Sequence, residues 1–185
     1  MLIPQPPDID DAAPPRAAGN PPSEIVIRAI EPEDAPGATA LLNLPGYRWG
    51  TMRQPYQSVS AVRGKMGSSG EGRIALVAVR DEEIVGLASL TRYEGRRSHA
   101  GAIGMGVHDD HVGQGIGKAL LAALLEVADD WWALRRVELT VNADNLVAIR
   151  LYERAGFERE GLLRDYMLRG GTLVDAITMA RLRRE

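Results

Sequence analysis

A glycine-rich turn between an apolar strand and an amphipathic helix is the feature that most constrains this chain. Residues 107–121 read VHDDHVGQGIGKALL, with glycines at every second position from 113 to 117. Alternating glycines let the backbone turn sharply, and the first N–H groups of the helix that follows have no intrahelical acceptor. Together with the helix dipole, they predict an anion site, most naturally for a phosphate. The candidate residues are Val112, Gly113, Gln114, Gly115, Ile116, Gly117 and Lys118.

Two common nucleotide motifs do not fit this turn. The dinucleotide fingerprint G-x-G-x-x-G needs its third glycine one residue later than Gly117. The P-loop pattern needs a glycine where Val112 stands and a magnesium-binding hydroxyl where Ala119 stands. From the glycines alone, a tight turn without any ligand remains the alternative.

Prolines divide the chain into two parts. Seven of the 11 prolines lie in residues 1–22. Because proline fixes its own φ and lacks an N–H donor, this segment is expected to be a disordered or loosely docked tail. The folded domain is then expected to cover residues 23–185.

Within the domain, hydrophobic periodicity alternates between strands and helices. Helices are predicted over residues 33–44, 55–66, 117–133 and 145–155, the last stopped by Gly156, and the rest of 45–73 is predicted to be irregular. A hairpin with a turn at 81–83 and a second hairpin around Gly170 and Gly171 are also expected. Strands are predicted over residues 24–30, 74–80, 84–93, 100–107, 137–141, 157–168 and 173–182. The pattern predicts an α/β fold with a mixed sheet.

Composition excludes several function classes. The chain has no cysteine, which rules out disulfides, thiolate zinc sites and a cysteine nucleophile. His99, His108 and His111 do not have a metal-ligand spacing, so no metal is expected. The net charge of −3 disfavours a nucleic-acid partner, and no apolar run approaches the roughly 20 residues of a membrane span. A cytoplasmic location without a membrane partner is expected.

A second motif carries a family resemblance. Residues 145–157 read NLVAIRLYERAGF, which is similar to the signature N-x-x-A-x-x-x-Y-x-x-x-G-F of the GNAT superfamily of acyl-CoA-dependent N-acyltransferases. The glycine turn resembles that family's pyrophosphate motif, [QR]-x-x-G-x-[GA], at Gly115 and Gly117 and departs from it at Val112. The resemblance covers most of residues 24–185. Three runs, at 96–99, 138–141 and 174–181, resemble the bacterial YhhY-type amino-acid acetyltransferase subgroup.

The resemblance implies a fold and a reaction. The fold is a GNAT-like mixed, mostly antiparallel central sheet with splayed parallel strands 4 and 5, flanked by helices. The reaction transfers an acetyl group from acetyl-CoA to the primary amine of a small molecule. The backbone N–H groups of Met105 and Val107 on the splayed strand would face the acyl group, with Val107 as the catalytic donor. Tyr152 occupies the general-acid position, and Asn145 would bind the cofactor arm or cap its helix.

In this family the acceptor site lies in the segment that here covers residues 43–70. That segment carries arginine, lysine and aromatic residues but no Asp or Glu. Guanidinium groups beside aromatic rings suit a ligand with a carboxylate and an apolar side chain, such as a hydrophobic L-amino acid. A solvated basic loop is the alternative interpretation. The candidate substrate-binding residues are Tyr47, Arg48, Trp49, Arg53, His99 and Tyr166.

The sequence leaves three questions open. The general base is His99, Glu138 or an ordered water. The function alternatives are acetylation of a protein or peptide N-terminus, and a non-catalytic acyl-CoA-binding module, which an intact Tyr152 disfavours. A homodimer is a further possibility, with Trp131 and Trp132 as candidate contacts.

Overall fold

The computed structural model describes residues 24–66 and 72–183, so the Pro-rich tail expected over 1–22 lies outside the described residues. The helices are α1 (Ala35–Leu42), α2 (Pro45–Gly50), α3 (Val59–Met66), α4 (Ile116–Glu126) and α5 (Leu146–Arg154). The strands are β1 (Val26–Ala29), β2 (Arg73–Arg80), β3 (Glu83–Arg92), β4 (Ala100–Val107), β5 (Arg136–Asn142), β6 (Glu158–Arg169) and β7 (Thr172–Leu182). None of the described helices is long and apolar enough to cross a membrane.

The strands of the described part of the chain form one mixed sheet in the order β1-β2-β3-β4-β5-β7-β6. All neighbours are antiparallel except β4 and β5, which pair in parallel only at residues 100–102 against 136–138. Beyond that point β4 continues to pair with β3 as far as Val107, and β5 continues to pair with β7 as far as Asn142. The two parallel strands therefore diverge, which confirms the predicted α/β sheet with splayed strands 4 and 5.

The two faces of the sheet are covered by different helices. Successive side chains of a strand point to opposite faces, so Met105 and Val107 share one face and Gly106 lies on the other. Met105 and Val107 lie beside Gly117 of α4, whereas Gly106 lies against Tyr47 of α2. We refer to these surfaces as the α4 face and the α2 face. The larger apolar core lies on the α4 face, where α4 buries Ile116, Leu120, Leu121 and Leu124.

Helix α2 falls in a segment that the sequence predicted to be irregular. Its proline at the first position suits a helix start, because the missing N–H would be unpaired there anyway. The helix predicted over 55–66 begins only at Val59, since Tyr56 has a φ of 61° that an α-helix does not accommodate. The helix predicted over 117–133 changes at Val127 into a π-helical turn that ends at Trp131.

Turn residues with positive φ end several elements. Asp81 and Glu82, at φ 49° and 66°, form the β2–β3 turn, which is one residue shorter than predicted. Gly156, at φ 87°, follows α5 at the predicted stop. Trp131 is 76% exposed, whereas Trp132 is partly buried and packs against the core.

Candidate active site

A cleft of about 1720 Å³ opens where β4 and β5 diverge. It extends from the glycine turn after β4, past the ends of β5 and α5, to α2 and the β6–β7 hairpin. Pockets for single small molecules usually measure about 300–1,000 Å³. The cleft therefore has room for an extended ligand and a second, smaller one.

The glycine turn presents amide donors to open space. Gly113 and Gly115 have φ values of 81° and 85°, and a Cβ added at either would meet no atom within 4 Å among the described residues. The Ala119 amide donates to Gly115 O at 3.0 Å as the first helical bond of α4. The amides of Ile116, Gly117 and Lys118 precede that bond and have no intrahelical acceptor. The turn has the form expected of an anion site.

Two side chains of the turn point in different directions. Gln114 is turned toward the protein: its Oε1 accepts a hydrogen bond from Arg80, and its Nε2 donates to Asp110 O at 3.1 Å. Val112 is 56% exposed and lines the cleft at the position where the family motif has Gln or Arg. The anion-binding capacity of the turn therefore lies in its backbone and in Lys118.

The hydrogen-bond pattern of β4 directs alternate amides into the opening. His108 donates its amide hydrogen to Val85 O at 2.9 Å, and Tyr93 donates to Ala100 O at 3.0 Å. Because these directions alternate along an antiparallel ladder, the backbone N–H and C=O groups of even-numbered β4 residues point toward β3. The N–H groups of Met105 and Val107 therefore point toward the side from which β5 has diverged.

Tyr152 of α5 lies in the wall of this opening and is 7% exposed. Its ring packs beside Phe157, with 5.8 Å between ring centroids. Burial raises the pKa of Tyr152 to about 12, and the nearby Tyr47 adds to the shift. Burial likewise raises the pKa of Tyr47 to about 12. Both phenols are protonated at physiological pH, as they would be at the ordinary value of 10.0.

Asn145 is the N-cap of α5 and lines the cleft. Its Oδ1 accepts a hydrogen bond from the Ala148 amide at 3.1 Å. The capping role that the sequence allowed is thus present. Contact with a cofactor arm stays a prediction.

Four of the six residues predicted to bind the acceptor line the cleft: Tyr47, Trp49, Arg53 and Tyr166. Arg48 and His99 do not, contrary to expectation. Arg48 lies along its own helix, where its Nε donates to Leu44 O at 3.4 Å. His99 is exposed next to the paired end of β4, whereas the cleft opens at the other end of that strand.

Glu138, the other side chain considered as a base, lies in the cleft, but both of its carboxylate oxygens already accept hydrogen bonds. Its Oε1 accepts from Tyr93 at 2.6 Å and Arg97 at 2.7 Å, and its Oε2 accepts from Arg136 at 2.8 Å. Burial disfavours the charged carboxylate, but these hydrogen bonds outweigh burial and lower the pKa of Glu138 to about 2. So weak a base is poorly matched to removing a proton near neutral pH.

Sequence reasoning missed several residues of the cleft because they come from distant parts of the chain. Asp109 and Asp144 line it together with Glu138, so the cleft is not free of carboxylates. Asp144 is paired with Arg169, and Asp109 accepts a hydrogen bond from the Gly46 amide at 2.7 Å. No spacing in the sequence indicates these pairs.

Comparison with known proteins matches this geometry to a family. A sequence model of the Acetyltransferase (GNAT) family matches residues 42–157, which is more than half of the chain. The chain therefore belongs to the GNAT family and is an N-acetyltransferase.

Individual relatives agree with this assignment. The L-amino acid N-acetyltransferase AaaT of Escherichia coli (strain K12) is 35% identical over 162 residues, covering 87% of this chain and 99% of the relative. A GNAT-family acetyltransferase from Streptococcus pneumoniae has a TM-score of 0.77 and 27% identity, covering 86% of this chain and 100% of that one. Spermidine N-acetyltransferase from Vibrio cholerae, solved with CoA and spermine, shares the fold with a TM-score of 0.76 and 22% identity, covering 85% of this chain and 95% of that one.

The lowered pKa of Glu138 predicts a pH-dependent contribution to stability. The group is charged in the folded state down to about pH 2 but has an ordinary pKa of 4.5 when unfolded. Its contribution is complete above about pH 4.5 and is lost as the pH falls toward 2. We expect the wild type to exceed Glu138→Gln in unfolding free energy near pH 7 and to lose much of that advantage near pH 3, measured by urea unfolding.

Glu126→Gln is the matched control, since Glu126 is exposed and forms no ion pair among the described residues. The unfolding free energy of Glu126→Gln should differ little from that of the wild type at both pH values. A Glu138→Gln difference that does not change with pH would contradict the assigned charge network.

Proposed function

We propose that this N-acetyltransferase uses acetyl-CoA to acetylate the primary amine of a small molecule, preferentially a hydrophobic L-amino acid. The observation that carries the proposal is the opening between β4 and β5, where the Met105 and Val107 amides face the cleft near a neutral, buried Tyr152. The amino-acid substrate class is supported by the similarity to the E. coli L-amino acid N-acetyltransferase.

The glycine turn fits the pyrophosphate of CoA. Its open side at Gly113 and Gly115 leaves room for phosphate oxygens, and the amides of residues 116–118 supply donors. Residues 112–118 would hold that group, with Met105 and Val107 along the arm of the cofactor. CoA supplies the acyl group as a thioester.

The residues of the opening then take distinct roles in acyl transfer. The amine nitrogen forms a bond to the thioester carbon, and the carbon–sulfur bond breaks. The Val107 amide stabilises the negative charge that develops on the thioester oxygen. Tyr152 gives its proton to the departing thiolate. The proton of the amine leaves to an ordered water, since His99 lies outside the cleft and Glu138, with its pKa lowered to about 2, is too weak a base.

Arg53 is the candidate partner for a substrate carboxylate. It lines the cleft and forms no ion pair with residues 24–66 or 72–183. Tyr47, Trp49 and Tyr166 supply aromatic surface around it. The carboxylates of Glu138 and Asp144 are occupied by arginines, and Asp109 accepts from the Gly46 amide, so the three offer little to a polyamine.

The first prediction concerns cofactor binding. Gly115→Asp adds bulk and negative charge on the open side of the turn, so it should abolish stabilisation by CoA in thermal unfolding and binding in calorimetry. Gly171→Asp is the matched control, because Gly171 has a φ of 84° against 85° for Gly115 and also faces open space. Both variants place an aspartate at nearly the same positive φ, but only Gly115→Asp should lose CoA binding. Unchanged CoA affinity in a folded Gly115→Asp protein would contradict the proposed pyrophosphate site.

The second prediction separates the two buried phenols. Tyr152→Phe keeps the ring packed against Phe157 and removes the proton donor, so kcat should fall about 100-fold with little change in CoA affinity. Tyr47→Phe should mainly change the KM of the amine. Steady-state kinetics of both variants decide the assignment, and the reverse pattern would make Tyr47 the acid.

The third prediction concerns the acceptor. L-Phenylalanine or L-methionine should be acetylated with a higher kcat/KM than phenethylamine, spermidine, an aminoglycoside or a short peptide. Loss of the substrate carboxylate removes a charge-assisted contact, which costs about 1.5–3 kcal/mol. Thiol release from acetyl-CoA provides the measurement.

Arg53→Ala should erase the preference for phenylalanine over phenethylamine, because only an arginine in contact with the carboxylate distinguishes the two substrates. Arg48→Ala is the matched control, since Arg48 lies shortly before Arg53 in the chain, on α2, but outside the cleft. If spermidine or the peptide reacts best, or if Arg53→Ala keeps the preference, the amino-acid assignment is wrong while the family assignment stands.

A further inference from the structure

Helix α2 is attached to the β4 side of the opening. Asp109 follows β4 by two residues, and its Oδ2 accepts a hydrogen bond from the Gly46 amide of α2 at 2.7 Å. The next residue of α2, Tyr47, covers β4 closely: a Cβ added at Gly106 would lie 2.5 Å from Tyr47 Cε2. One polar and one packing contact therefore join α2 to this strand and to the glycine turn that follows it.

The opposite end of α2 is attached to the β5 side. Asn142, the last residue of β5, is 5% exposed and donates from Nδ2 to Trp49 O at 3.1 Å. Arg169 at the end of β6 stacks over the Trp49 ring, with 4.4 Å between its Cζ and the ring centroid. Arg169 is in turn held by its ion pair with Asp144. A helix of one and a half turns thus contacts both diverging strands.

The sheet itself does not fix the width of the opening. β4 and β5 form no backbone pair beyond Ala102 and Glu138. The distance between the far ends of the two strands therefore depends on the elements that pack across the opening. We propose that α2 is a bridge across the open end of the splay, and that Asp109 is a positioning residue that ties this bridge to the cofactor turn. The bridge sets where Tyr47 and Trp49 meet the acceptor amine, a role that rests on the proposed function.

The hydrogen bond between Asp109 and Gly46 depends on the type of both residues. A Cβ at position 46 would lie 2.7 Å from Asp109 Oδ1, so the carboxylate covers an amide that only glycine leaves accessible. Asp109 forms no ion pair within residues 24–66 and 72–183, and the Gly46 amide is its hydrogen-bond donor there. A hydrogen bond to a charged acceptor is stronger than a neutral one. Its loss should therefore displace α2 measurably.

The experiment compares Asp109→Ala, Asp109→Asn and Asp110→Ala. Asp110 is the matched control, because its backbone contacts the turn while its carboxylate makes no hydrogen bond with the described residues. In Asp109→Ala we expect the KM of the best amine to rise about tenfold, with the Kd of CoA unchanged within about twofold. Asp109→Asn keeps an oxygen acceptor and should recover part of that loss. Asp110→Ala should match the wild type.

A purely structural role for Asp109 predicts a different result. Folding damage would lower kcat, amine affinity and CoA affinity together and would not be rescued by asparagine, which would overturn the proposal. Gly46→Ala disturbs the same contact from the α2 side, because the added Cβ would displace the Asp109 carboxylate. It should also raise the amine KM selectively. Gly64→Ala is its control, since Gly64 lies on α3 outside the cleft and a Cβ there would meet no described atom within 4 Å.

Amide hydrogen exchange tests the bridge independently of the substrate. The Gly46 amide should exchange faster in Asp109→Ala than in wild type, while amides of α4 should be unchanged. Equal exchange at Gly46 in both proteins would overturn the bridge. If the wild type acetylates none of the amines tested, the proposed function fails, and the exchange result still decides whether Asp109 holds α2.

Discussion

The structure depends on a parallel strand pair that stops pairing halfway. Past Ala102 and Glu138, β4 and β5 separate, yet each keeps its outer neighbour, β3 or β7, to the end of the strand. An interrupted ladder normally leaves backbone donors without partners, which is costly when they are buried. Here the donors face a cleft instead of the core. The same interruption thus provides both a cleft and the amide donors that face it.

The interruption also explains why the two faces of the sheet differ. On the α4 face, Met105, Val107 and the leucines of α4 pack as an ordinary apolar core. On the α2 face, Gly104 and Gly106 have no side chain, and Ser89 lies beside Gly104. A strand with glycine at alternate positions offers its backbone to an approaching ligand. The core therefore holds the strand in place from one side, while on the other side Gly104 is exposed and Gly106 lies under Tyr47.

The sequence predicted the features that depend on local geometry. The glycine turn and the helix with Tyr152 are each set by contiguous residues, because turn glycines and helical spacing act over a few positions. The splay of strands 4 and 5 was expected only from the family resemblance. The short helix α2 was missed because six residues carry too little periodicity, and the left-handed Tyr56 could not be foreseen from its type. Contacts such as Asp109 with Gly46 and Arg169 with Trp49 join residues 63 and 120 positions apart. No local pattern encodes them, and for the same reason Arg48 and His99 were expected in a cleft that they do not reach.

The burial of Tyr152, the proposed acid, and the positions of Tyr47 and Trp49 depend on the same short helix. Burial raises the pKa of Tyr152 to about 12, and part of that shift comes from Tyr47. Tyr47 belongs to α2, which Asp109 and Asn142 hold across the opening. If α2 moved away, water would reach the phenol of Tyr152, and its pKa would fall toward the ordinary value of 10.0. The environment of the proton donor and the position of the acceptor residues are therefore not independent, because one helix, tied to both diverging strands, determines both.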